Sequence, residues 1–82
     1  MDSQAIARDQ FRVFDRIGDR IELTEEERRR VLLLSADEYS AWSLVPRGAP
    51  LPARPDLSVM LRRLGAATHR LAMVAERRGA FV

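Results

Sequence analysis

Leu23-Thr24-Glu25-Glu26-Glu27-Arg28-Arg29-Arg30-Val31-Leu32-Leu33-Leu34-Ser35-Ala36-Asp37-Glu38-Tyr39-Ser40-Ala41-Trp42 holds two helix starts about one short helix apart. Thr24 with Glu27, and Ser35 with Glu38, have the spacing of a capping box. In that motif the hydroxyl accepts from a free amide of the first turn, and the glutamate accepts from the cap's own amide. Two starts this close leave room for one short helix, a tight turn and a second short helix. That is the length pattern of a helix-turn-helix, which points to DNA as a partner class. Other small helical proteins share the pattern and bind no DNA.

Upstream, Ser3 is read as the cap of a first helix running to about Arg20. Ile6, Phe11, Val13, Phe14, Ile17 and Ile21 recur near a 3.6-residue period. Asp9–Arg12, Arg12–Asp15 and Arg16–Asp19 stand three apart and are expected to pair on the exposed side. Such pairs contribute only about 0.2–0.5 kcal/mol each. Gly18 either ends this helix or sits in its last turn. In the second helix Glu25, Glu26 and Glu27 complement the positive end of the dipole. Arg28, Arg29 and Arg30 are expected to pair back onto them on a solvated face. Val31 to Leu34 are more apolar than one face requires, so some of them should pack across to neighbouring helices. The third helix should run from Ala36 to Ser43 or Leu44. Trp42 is expected in the core. Tyr39 is read as more open, with a hydroxyl that needs a polar partner if buried.

Downstream, Pro46, Pro50, Pro52 and Pro55 make residues 45–55 a stiff, extended connection. Asp56 is placed to cap a long fourth helix with a stripe of Leu57, Met60, Leu61, Leu64, Ala67 and Leu71. Gly65 inside it costs up to about 1 kcal/mol relative to alanine, which a close helix crossing would explain. Arg62, Arg63, Arg70, Arg77 and Arg78 should make its solvent side basic, and the chain ends on the apolar pair Phe81-Val82. The expected fold is all-α: one domain over 1–82, a small four-helix orthogonal bundle containing a helix-turn-helix, with a Pro-rich loop before the long last helix.

Composition removes several classes of function. The 82 residues include no cysteine and one histidine, so disulfides and cysteine-based metal sites are excluded, a lone histidine argues against a histidine-based one, and no cofactor is expected. Nucleophile–base pairs have almost no candidates, and no enzyme activity is expected. No apolar run approaches the roughly 20 residues that span a bilayer. The start, Met1-Asp2-Ser3-Gln4, lacks the character of a signal peptide. A cytoplasmic protein without membrane contact is the expectation. All fourteen basic residues are arginine. Residues 1–38 carry seven arginines against ten acids, and residues 39–82 seven against two. The basic second half suits a nucleic acid or an acidic protein.

Leu23-Thr24 with Glu26-Glu27, Leu32-Leu33 before the turn, Tyr39 and Trp42, the loop ending in Pro52, and Asp56 with Leu61, Leu64 and Leu71 together carry a family likeness. Over roughly residues 14–75 the chain resembles the N-terminal helix-turn-helix half of Xre/MbcA/ParS-type antitoxins. These are the antidote partners of RES-type toxins and their relatives. The resemblance implies a dimeric, DNA-binding autoregulator of a bacterial toxin–antitoxin operon. Two departures stand against the family pattern. Asp37 and Glu38 occupy the start of the third helix, where members usually carry polar or basic residues. The chain also stops at Val82, where the family's toxin-binding domain begins, so it is read as a truncated piece or a short relative without that domain.

On the DNA reading, Ser35, Tyr39, Ser40 and Ser43 are the candidate groove-facing residues, and Arg47 and Arg54 neutralise phosphate. The expected partners are operator DNA, a second copy of the chain, and a toxin or other protein. The alternative is a protein-interaction or dimerisation module that has lost DNA binding. Asp37, Glu38, the short length and Phe81-Val82 speak for it.

Overall fold

Asp2, one residue ahead of the expected Ser3, caps the first helix by accepting from the Gln4 amide at 3.0 Å. The computed structural model describes residues 2–77, which form four helices and no strand. They are α1 (Ser3–Arg20), α2 (Glu25–Leu32), α3 (Ala36–Ser43) and α4 (Leu57–Arg77). None is long and apolar enough to cross a membrane. Arg78 and the Phe81-Val82 pair lie outside the described residues.

Both capping boxes form. The Thr24 hydroxyl accepts from the Glu27 amide at 3.1 Å, and the Thr24 amide donates to the Glu27 carboxylate at 2.9 Å. Ser35 and Glu38 repeat the arrangement at 3.1 and 2.9 Å. Asp56 caps α4, accepting from the Val59 amide at 2.9 Å and the Ser58 hydroxyl at 3.0 Å. Those two donors hold its carboxyl below the usual carboxylate range.

Between α2 and α3 the chain turns through Leu33, at φ 58°. The Leu34 amide donates to the Arg29 carbonyl at 2.9 Å and the Leu33 amide to Arg30 at 3.3 Å. This is the Schellman pattern, whose left-handed residue is usually glycine. A leucine there costs about 1–2 kcal/mol of backbone strain. It is also 57% exposed, unlike Val31, Leu32 and Leu34, which are buried. Two arginines of α4 complete the end of α2: Arg70 donates to the Val31 carbonyl at 2.8 Å and Arg63 to Leu33 at 2.9 Å. They therefore satisfy orphan helix carbonyls instead of forming a plain basic surface.

The core gathers one face from each helix. Ala7, Phe11 and Phe14 of α1 and Met60, Leu64, Ala67, Leu71 and Ala75 of α4 form its main walls. Leu32 closes it from α2, and Tyr39 and Trp42 from α3. Phe11 stands at the centre of the aromatic group, with ring centroids 6.3 Å from Phe14, 5.8 Å from Tyr39 and 6.0 Å from Trp42. Trp42 is a core residue, as its size suggested. Its indole N–H donates to the Arg54 carbonyl at 3.2 Å and ties α3 to the proline-rich loop.

Two glycines behave differently from each other. Gly18 lies in the last turn of α1, buried beneath Arg28. A Cβ placed there would sit 3.0 Å from the guanidinium carbon. Gly65 has nothing within 4 Å of such a Cβ. The expected close crossing is therefore absent, and Gly65 instead lines an open groove between α1 and α4.

The charges of α1 also depart from expectation. Among the described residues the ion pairs are Arg28–Asp15 at 3.3 Å, Arg28–Asp19 at 2.7 Å and Arg30–Glu26 at 2.6 Å. Of the arginine triplet only Arg30 pairs back along its own helix. Arg28 reaches across to α1 and draws Asp15 and Asp19 away from Arg12 and Arg16.

Candidate nucleic-acid interface

The six sequence-predicted site residues do not share one surface. Ser35 is exposed, but its hydroxyl is committed to the α3 cap. Ser40 and Ser43 lie on the outer side of α3, together with Ala36, Asp37 and Ala41. The Ser43 hydroxyl donates to the Ser40 carbonyl at 3.0 Å, leaving the Ser40 hydroxyl without a partner among the described residues. Arg47 and Arg54 are exposed on the loop, and neither side chain has a hydrogen bond or ion pair among the described residues. Arg54 shares a shallow depression with Ser35, Asp37 and Ala41, next to the start of α3.

Tyr39 requires a correction. It is 7% exposed, and its hydroxyl donates to Asp15 at 2.7 Å. It points into the bundle against Phe11 and cannot face a DNA groove. The cause lies in the helix period: Tyr39 and Trp42 are three apart and therefore follow each other inward.

Burial, and then the hydrogen bond to Asp15, push the Tyr39 phenol up to about 12, with Arg28 opposing. Its folded value lies above its ordinary 10.0, so the stabilisation is present below pH 10 and fades as pH rises toward 12. The chain has one tyrosine, so tyrosinate absorbance reports this group alone. Alkaline titration of the folded protein is expected to give a midpoint near 12, and Asp15→Asn should move it back toward the ordinary value. A wild-type midpoint at 10.0 would contradict the buried hydrogen bond.

The electrostatics of the α3 surface are mixed. Asp37 is exposed at its start, while the Glu38 carboxylate is held by the Ser35 amide. The α3 outer face carries no cation of its own, so any attraction for phosphate comes from residues beside it. No group of three or more histidine, cysteine, aspartate or glutamate side chains among the described residues could hold a metal ion.

No known protein family, curated protein or solved structure matches this chain.

Proposed function

We propose that this chain is a helix-turn-helix DNA-binding domain of antitoxin type, acting as a homodimeric autoregulator of its own operon with a toxin as a further partner. The observation that carries the reading is the α2–turn–α3 unit. Two eight-residue helices with closed capping boxes meet at a three-residue turn, and the outer face of α3 is left uncovered. Small side chains on that face allow close approach to a groove, with the unpartnered Ser40 hydroxyl available to base edges and the Ser43 oxygen able to accept while its proton stays on the Ser40 carbonyl. Arg47 and Arg54 on the adjoining loop supply phosphate contacts, for which the planar guanidinium is suited.

Fluorescence anisotropy with labelled DNA from upstream of the gene, against a scrambled duplex at two salt concentrations, tests the proposal. Tighter, salt-sensitive binding to the native duplex is the expected result. Replacing Arg47 and Arg54 by alanine should then lower affinity and reduce the salt slope by about 2.

Asp37 favours a second reading, a protein-interaction module without DNA binding. Exposed at the leading end of α3, its carboxylate repels phosphate where a recognition helix approaches DNA. Failure to bind either duplex, together with a stable complex with a neighbouring gene product, would establish that reading instead.

A further inference from the structure

Arg8, Arg12 and Arg16 recur every four residues on α1, about 6 Å apart along the helix axis. Like charges at this spacing work against a helix. The three line one wall of a groove of about 220 Å³, whose other wall includes Trp42, Ser43 and Val45. The groove therefore runs beside the C-terminal end of α3 and the start of the proline-rich loop.

The three arginines are not equivalent. Arg8 donates to the Ala49 carbonyl at 2.6 Å and fixes the loop that carries Arg47 against α1. Arg12 and Arg16 have no hydrogen bond or ion pair among the described residues. Two carboxylates share the groove, but both are engaged. Asp15 accepts from the Tyr39 hydroxyl and from Arg28, and Asp19 accepts from Arg28 at 2.7 Å. Arg28 thus holds the Asp15 and Asp19 oxygens that Arg12 and Arg16 would otherwise pair with; four guanidinium groups then stand against two carboxylates, and Arg12 and Arg16 face a channel next to α3.

Resting on the DNA reading above, we infer that this groove takes the phosphodiester backbone beside the segment that α3 contacts, with Arg12 and Arg16 as its phosphate ligands. Arginine suits this role because its fork can donate two parallel bonds to phosphate oxygens. The contact places α1, and not only the loop, at the interface. It also supplies the cations that α3 lacks.

The test uses the whole chain and the upstream duplex. Affinity is measured from 50 to 200 mM salt for wild type, for Arg12→Ala with Arg16→Ala, and for Arg12→Lys with Arg16→Lys. Loss of two phosphate contacts should flatten the salt slope by about 2, so across that fourfold rise the wild type should lose roughly tenfold more affinity than the alanine variant. The lysine variant keeps both charges and should keep the slope. Thermal melts that match wild type establish that each variant is folded. An unchanged slope in the folded alanine variant, with wild type still binding, overturns the α1 groove and leaves the DNA reading standing. No binding by wild type overturns both.

Discussion

Phe11→Ala is expected to cost about 3–5 kcal/mol, the range for removing a large buried aromatic. In urea denaturation it should appear as a large fall in the midpoint. The reason for a value at the upper end is position. Phe11 meets Phe14, Tyr39 and Trp42, so its ring joins α1 to α3. Aromatic pairs add about 0.5–1.5 kcal/mol beyond area burial, and one substitution removes three of them. Small domains hold only about 5–15 kcal/mol in total, and a chain of this length has little to spare. Phe11→Leu keeps most of the volume and should recover much of the loss. Equal, small effects of both substitutions would mean that the aromatic group is not the keystone of the core.

The parts of this fold that read clearly from sequence are those determined within a few residues. Thr24-Glu27, Ser35-Glu38 and Asp56 each carry their own cap partners, so their helix starts are legible without tertiary information. Asp2 and Ser3 are adjacent cap formers, and sequence alone does not separate neighbours by one residue. The Glu-Glu-Glu-Arg-Arg-Arg run is degenerate in a different way. Pairing along the helix and pairing across to another helix demand the same residue types, so Arg30 followed the local rule and Arg28 did not. Gly18 was unreadable for the same reason, because its explanation is the guanidinium that lies on it. Tyr39 was legible. Its spacing from a core tryptophan places it inward, which is incompatible with a DNA-facing position. Ser40, Ser43, Arg47 and Arg54, proposed as DNA contacts, lie exposed. The row of Arg8, Arg12 and Arg16 also stood in the sequence. Pairing Arg12 and Arg16 with acids three residues away hides it, and the position of Arg28 takes Asp15 and Asp19 out of that pairing.

Arg28→Ala is the second substitution expected to have a large effect, about 2–3 kcal/mol of destabilisation. The magnitude follows from separating the contacts by exposure. Arg28 is 13% exposed at its side chain, Asp15 27% and Asp19 73%. The Asp19 contact, although short, is screened by water and falls within the range of about 0–1 kcal/mol for surface pairs. The larger share comes from Asp15 and the Leu23 carbonyl, which lose a donor in a partly buried setting at about 1–3 kcal/mol. Burial alone would lower the Arg28 pKa, but its interactions with Asp19, Tyr39 and Asp15 outweigh this and raise it above the ordinary arginine value. Gly18 provides an internal check. In wild type a Cβ at position 18 meets a guanidinium held by Asp15, Asp19 and the Leu23 carbonyl, so Gly18→Ala must displace it. Without Arg28 that obstacle is gone, and the same substitution should regain the helix preference for alanine, about 0.5–1 kcal/mol. The two changes should therefore be non-additive in a double-mutant cycle followed by urea denaturation. Strict additivity would mean that the guanidinium is free to move aside and that Arg28 does not join α1, α2 and α3 as a fixed post.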